Sequence, residues 1–329
     1  MTRLSRRTAM GLLAAASITS PALAQQKTVL KLGWTTGDGA QDPYAIGARA
    51  FKEEVEKLSG GRIEVQLFPN RALGDERPMI DGMRLGTVDM GIITNAVIAQ
   101  VEPAFQINDM PFLFRDEAQA QRVLDGPVGD QLRQRLDTRG IMALGYMEGG
   151  FRHMINNVRP VNTPDDVKGV KYRVLQSPIY IGLFTALGGT AVPMAWGETF
   201  TAVQQGAVDG LEIPAAVIDA NKYNEVTKYL SLTNHIYSMI GLLASKRSFD
   251  RLPADLKTAV RDAAKAATAK QRAQSVANAR EIVDRLKAKG MQVNALPDVA
   301  PFRRAVMPMY ENFRQQIGAD IVRDALAAQ

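Results

Sequence analysis

Cysteine is absent from all 329 residues. Its absence excludes disulfides, thiolate nucleophiles and cysteine-based zinc or iron–sulfur sites, even for an exported chain that meets an oxidising compartment. Histidine is nearly absent too. His153 and His235 are the only two, neither stands at a metal-ligand spacing such as His-x-x-x-His, and zinc hydrolysis loses its usual ligands. No Gly-x-Ser-x-Gly elbow, Walker loop or dinucleotide fingerprint occurs, so a nucleophilic serine, nucleotide phosphates and nicotinamide have no motif to hold them. The expectation is a chain with neither cofactor nor metal. The paired acids Glu53-Glu54 and Asp165-Asp166 sit at helical or turn positions, and Thr163-Pro164-Asp165-Asp166 reads as a capped helix start.

Long apolar runs are also scarce. The first 24 residues combine a basic start (Arg3, Arg6, Arg7), an apolar run from Ala9 to Ile18 and Ala22-Leu23-Ala24 ahead of Gln25-Gln26, the pattern of a cleavable export signal. Ser5-Arg6-Arg7-Thr8-Ala9-Met10 also looks like a twin-arginine signal, although adjacent arginines serve Sec export equally. Beyond it no run approaches the roughly 18 to 20 residues that cross a bilayer, and the mature protein is expected to be soluble. Without a lipobox cysteine no lipid tether is expected, which points to the periplasm of a Gram-negative cell.

Neither sign of charge dominates. The formal charge of +6 includes three arginines of the signal and no acid from it, leaving +3 and no case for nucleic acid. The remaining chain, about 305 residues, suits two domains better than one. Low-complexity linkers are missing, so two lobes have to be interleaved.

Val29–Trp34 and Ile63–Phe68 read as short strands. Between them Asp42 caps a helix, Pro43 takes its first position, Phe51, Val55 and Leu58 recur at helical spacing, and Gly60-Gly61 stops it. This alternation marks an α/β sheet with parallel crossovers. A weak internal echo links the stretch from Gly61-Arg62-Ile63-Glu64-Val65 to Gly86-Thr87-Val88-Asp89 with the stretch from Gly169-Val170-Lys171-Tyr172-Arg173-Val174 to Gly206-Ala207-Val208-Asp209. It reads either as the ordinary helix, glycine, strand punctuation or as two similar lobes. From Leu252-Pro253-Ala254-Asp255 a helical pattern meets no proline or glycine until Gly290, and its roughly 35 residues predict a helix of about 50 Å that runs across both lobes. Pro308 interrupts the later pattern and leaves a final helix around Tyr310 to Ala328.

Arg152 lies in Gly149-Gly150-Phe151-Arg152-His153-Met154-Ile155-Asn156-Asn157, Arg173 in Lys171-Tyr172-Arg173-Val174, and both precede the run from Pro193-Met194-Ala195-Trp196-Gly197-Glu198 to Leu211-Glu212-Ile213-Pro214. This region resembles the signature of the extracytoplasmic solute receptors of TRAP transporters, the DctP-like family, and Ser231-Leu232-Thr233-Asn234-His235 looks familial as well. The resemblance implies an α/β, two-lobed periplasmic binding protein fold with mixed sheets, hinge strands and a long helix spanning both lobes. It divides the chain into the signal (1–24), a first lobe (25–149 with about 239–278), a second lobe (150–238 with about 279–305) and a C-terminal helix (306–329). It further implies a small-molecule carboxylate ligand and the small and large integral membrane subunits of a TRAP transporter as partners; a monomer is the default expectation.

Within the resemblance Arg173 falls on the carboxylate clamp and Arg152 on a supporting arginine. Guanidinium suits this task because its planar fork matches a carboxylate and stays charged. Read by residue type alone, each is one of 40 basic residues and an ordinary ion-pairing arginine. Trp196 stands where relatives often set an aromatic face against the ligand, or else it is a core tryptophan. Ile213 departs from the asparagine many relatives carry. Isoleucine neither donates nor accepts, so a monocarboxylate with some apolar character is expected, and sialic acid and simple C4-dicarboxylates are put in doubt. The matching first-lobe positions are Trp34, Thr35, Glu76, Thr94 and Asn95, with Ser177 added from the second lobe; Glu76 and Arg77 read equally as a surface pair.

The leading expectation is a receptor that does no chemistry. A periplasmic lyase or isomerase acting on a hydroxy acid, with Arg173 binding substrate and Glu76 or Glu212 as base, is the alternative, and it needs a tuned carboxylate beside the substrate. A receptor that feeds a sensor kinase instead of a transporter is indistinguishable at this level.

Overall fold

A computed structural model describes residues 27–328; the expected export signal lies outside them. The strands are β1 (Thr28–Gly33), β2 (Ile63–Phe68), β3 (Met90–Thr94), β4 (Ile141–Asn156), β5 (Lys171–Val174), β6 (Thr190–Pro193), β7 (Gly210–Pro214), β8 (Tyr229–Ser245) and β9 (Gln292–Ala295). They form one sheet in the order β2-β1-β3-β8-β4-β7-β5-β6, with β9 added parallel to β8.

The sheet falls into two halves because two long antiparallel strands pass through both. β4 pairs with β8 from Ile141 opposite Ser245 to Glu148 opposite Met239, with a first register shift between Ala143 and Gly145; the register slips again after Glu148, and pairing resumes with Phe151 opposite Tyr237. A bulge of this kind bends a strand and frees its local pairing. On one side β1 is flanked in parallel by β2 and β3; on the other β5 is flanked in parallel by β6 and β7.

The internal echo has a structural basis, in a different register from the one expected. The helices Glu76–Leu85 and Trp196–Gln204 run out into Gly86 and Gly206, both at positive φ (82° and 71°). Asp89 then accepts the backbone N–H of Lys31 (3.1 Å) at β1, and Asp209 accepts that of Lys171 (2.8 Å) at β5. The counterpart of Lys171–Val174 is therefore β1, whereas Ile63–Val65, the expected match, belongs to the flanking strand β2.

Alternation along the long strands sends neighbours to opposite faces. Tyr146, Met154, Met239 and Leu243 enter one apolar core, and Met147, Ile155, Ile240 and Leu242 enter the other. The cores thus divide by sheet face, not by lobe. Ala254–Ala288, an unbroken helix of 35 residues, lays Leu256, Val260, Ala263, Ala264, Ala267, Ile282 and Leu286 on the second core. It contacts the helix Pro43–Leu58 in the first half and Ala215–Ala220 in the second, so it spans both.

The cap at Asp42 is as expected: its carboxylate accepts the N–H groups of Tyr44 (2.9 Å) and Ala45 (3.2 Å), with Pro43 first in the helix. Leu58 is left exposed, so the apolar face ends at Val55. Pro164–Val167 is a short 3-10 turn instead of a longer helix. The expected single C-terminal helix is two, Pro308–Ile317 and Ala319–Ala327, because Gly318 at φ 109° breaks the run.

Candidate ligand-binding cleft

Between the halves lies a cavity of about 290 Å³. Thr35, Glu76 and Thr94 reach it from the first half, Arg173, Trp196 and Ile213 from the second, and Arg152 and Ser238 from the connecting strands. Thr35 follows β1, Thr94 ends β3 and Ile213 lies near the end of β7, the strand ends where open α/β sheets receive ligands.

Arg173 is buried on β5. Its Nε and Nη2 donate to the Met194 carbonyl at 3.1 and 2.7 Å, and its Cζ lies 5.9 Å from the centre of the Trp196 ring. Among the described residues it has no carboxylate in an ion pair and no hydrogen bond at Nη1. Burial disfavours the charge and lowers its pKa, while the fields of Glu212 and Tyr223 oppose that shift. A buried guanidinium with an unfilled edge is costly unless an anion completes it.

Arg152 is differently placed. Its Nε meets Glu212 Oε2 at 2.5 Å, Nη2 meets Glu212 Oε1 at 2.8 Å and the Glu212 carbonyl at 2.6 Å, and Nη1 donates to Ser238 Oγ at 3.2 Å. Burial alone would raise the Glu212 carboxyl, but Arg152 and His235 hold it below the usual carboxylate range. His235 is kept neutral by burial. Protonated at Nε2, its ring serves both neighbours, Glu212 Oε2 at 3.2 Å and, through Nδ1, the Thr233 hydroxyl at 2.7 Å. The charge of Arg152 is therefore spent inside the protein.

Opposite Arg173, Glu76 Oε1 accepts the backbone N–H and the hydroxyl of Thr94, both at 2.8 Å, and the Tyr44 hydroxyl completes the chain to Thr94 Oγ1 at 2.7 Å. Burial pushes the Glu76 carboxyl up to about 7, against the pull of Thr94 and Arg173. Glu76 is buried in the wall of the cavity, not half of a surface pair; Arg77 pairs with Asp81 instead.

Three residues from the expected set do not line the cavity. Trp34 is fully buried in the core, its Nε1 donating to the Gly37 carbonyl, because its strand neighbours turn it toward the helix side. Asn95 is turned inward, bonded to the Phe105 carbonyl and to Asn108. Ser177 is buried at the start of the helix Pro178–Ala186, with no partner for Oγ among the described residues. Conversely Tyr44, Met194, Val217 and Ser238 line the cavity without having been singled out. Tyr44 had a usable signal, since it opens the helix that follows the first strand; Ser238, inside a continuous strand, had none.

The match to the family described as bacterial extracellular solute-binding protein, family 7, the DctP family, runs over residues 35–316. The chain belongs to that family. Family 7 relatives include the 2,3-diketo-L-gulonate-binding periplasmic protein of Escherichia coli K12, 35% identical over 278 residues and 84% of each chain. Among solved structures, the TRAP periplasmic solute-binding protein of Polaromonas sp. JS666 bound to D-erythronate superposes with a TM-score of 0.88 at 38% identity, covering 92% of this chain and 99% of its own. The sugar-acid-binding protein of Advenella mimigardefordensis in complex with galactonate gives 0.89 at 34%, covering 92% and 98%. The family 7 chain is thus a two-lobed, extracytoplasmic solute receptor of the TRAP-transporter type, and the cavity lies between its lobes.

Proposed function

We propose that the cleft binds a small hydroxylated monocarboxylate of the aldonate kind, its carboxylate on Arg173 and its hydroxyls toward Glu76, Thr94 and Tyr44, for delivery to TRAP membrane subunits. The observation that carries this reading is the buried Arg173 guanidinium, which has no carboxylate of its own among the described residues. Charge counting supports one carboxylate in the solute and not two. Arg152 is neutralised by Glu212 and Arg77 is paired with Asp81, while the wall opposite Arg173 carries the carboxyls of Glu76 and Asp75. Ile213, Pro214, Val217 and Leu175 give the cavity an apolar wall, which suits the carbon backbone of a short acid. The volume is at the small end for ligand sites. Relatives that hold erythronate and galactonate point to the same class.

Closure follows only if the solute gains more in the closed form than in the open one. A solute spanning Arg173 on one lobe and Glu76 on the other meets that condition. The receptor carries out no reaction in this reading: Glu212, one of the two candidate bases, is tied to Arg152 and His235, and Glu76 is engaged by the N–H and hydroxyl of Thr94. The signal of residues 1–24 is removed on export to the periplasm, and the mature chain acts as a monomer. A thermal-shift screen of aldonates, uronates, dicarboxylates and aromatic acids, followed by calorimetry and a search for product, tests the reading. Aldonate-dependent stabilisation without turnover is expected; a preference for dicarboxylates, or conversion of the acid, would sink it.

A further inference from the structure

Two amides link the lobes across the cleft: Gln100 at the rim of the cavity, whose Nε2 donates to the Gln176 carbonyl at 2.9 Å, and Asn221 at the mouth, outside the cavity. Asn221 follows the helix Ala215–Ala220 in the second lobe. Its Oδ1 accepts the Gly37 N–H at 3.1 Å, and its Nδ2 donates to Asp42 Oδ2 at 3.3 Å and to the Val217 carbonyl at 3.1 Å. Gly37 and Asp42 belong to the first-lobe loop between β1 and the helix Pro43–Leu58. Asp42 is buried and rigidly held, with Oδ1 accepting from the Thr36 hydroxyl (2.9 Å) and from the Tyr44 and Ala45 N–H groups. An amide donates and accepts from one planar group, which is what an N–H on one side and a carboxylate on the other require. Asn221 lines the groove at the mouth and not the cavity, whereas Thr35, Thr36 and Tyr44, carried by the same first-lobe loop and the helix it leads into, do line the cavity. Beside it Asp219 is tied to the long helix by Arg285 (3.0 Å) and Lys289 (2.7 Å), which gives the amide a firm base.

We propose that Asn221 is a positioning residue of the receptor: its side-chain amide, bridging Gly37 and Asp42 across the cleft mouth, holds the lobes closed without touching the solute. The inference rests on the receptor reading for the purpose of closure, but the bridge does not depend on which acid is bound. Two interlobe hydrogen bonds, one to a carboxylate, shift a closed-to-open ratio by about tenfold. Apparent affinity follows the closed population, so removing the bridge weakens every acid by one common factor and leaves discrimination among acids unchanged.

Because the chain has no cysteine, spin labels introduced at K57C on the first lobe and Q205C on the second, both exposed, report the interlobe distance by double electron–electron resonance. Measurements are made on ligand-free protein and with excess D-erythronate or D-galactonate. Asn221→Ala and the near-isosteric Asn221→Asp, which sets a carboxylate against Asp42 and retains the shape, are each expected to lower the closed-to-open ratio about tenfold. Distance distributions identical to the parent in both variants, or a parent wholly open in every sample, overturn the proposal. If the acids leave the parent unmoved while the variants still open relative to it, the bridge stands and the solute class falls. If the acids close parent and variants equally, the solute class stands and the bridge falls.

Discussion

Arg152 and Glu212 meet fork to fork in the middle of the sheet, both buried, as diagonal neighbours on the antiparallel strands β4 and β7. That pairing consumes one of the three arginines that line the cleft; Arg77 pairs with Asp81, and Arg173 is left as the buried cation available to a solute.

Replacing Arg173 by alanine should cost several kcal/mol of binding to D-erythronate or D-galactonate while leaving thermal stability unchanged or slightly higher. The folded protein loses the bonds to the Met194 carbonyl and the contact with the Trp196 ring but is relieved of a buried charge without a paired carboxylate, whereas the bound carboxylate loses its partner. Near-normal affinity in calorimetry would retire Arg173 as the clamp.

Arg152→Ala should behave in the opposite way, with stability as the main casualty. It strands Glu212 as a buried charge, which costs about 3–5 kcal/mol. Adding Glu212→Gln should restore a large part of that loss. Urea unfolding of the single and double variants measures both; a single variant as stable as the parent would show that the pair carries no structural weight.

Ile213→Asn should redirect the solute spectrum. Ile213 is buried and contributes to the apolar wall of the cavity, and asparagine there supplies a donor and an acceptor that more oxygenated acids can use. A thermal-shift panel of acids reads the change, and an unaltered ranking would show that position 213 does not meet the solute.

Stability of the ligand-free protein should fall as pH rises through neutrality. Burial pushes Asp42 up to about 6 and Glu76, Asp109 and Glu148 up to about 7. Between the ordinary carboxylate range and pH 7 the folded chain therefore keeps protons that the unfolded chain has released, and unfolding free energy declines with pH in that window. Glu148→Gln, at a site bonded to the Gly150 N–H and the Tyr237 hydroxyl, should flatten the slope. Urea unfolding at about pH 5.5 and pH 8 checks this, and a slope equal to that of the parent would remove Glu148 from the account.

Gly149→Ala should damage the hinge. A Cβ there would stand 2.4 Å from the Ser238 backbone carbonyl, a group that cannot swing aside as a side chain does. A loss of about 1–3 kcal/mol is expected in denaturant unfolding; parental stability would mean that the strands part more easily than their pairing suggests.

Features written within a few residues of one another were legible in the sequence. The cap at Asp42 with Pro43, the glycine ends at Gly86 and Gly206, and the 35-residue helix from Ala254 depend on contacts within about one turn. The break in the C-terminal helix was missed, although Gly318 stood in the sequence to mark it. Less accessible was the register of the internal echo, since glycine, strand and acid recur in both β1 and β2 neighbourhoods and only pairing tells them apart.

The sequence by itself determined the absence of cysteine chemistry, the α/β alternation, the family and the pair of arginines worth attention. Tertiary structure alone decided which arginine is neutralised, because Glu212 reaches Arg152 across 60 residues of chain through the β4–β7 register. It likewise turned Trp34 and Asn95 into the interior while leaving Thr35 and Thr94, their immediate neighbours, on the cavity. Adjacent residues in extended chain point to opposite sides, so a motif can bring a segment to the cleft, and only the packed sheet selects which of its side chains faces the solute.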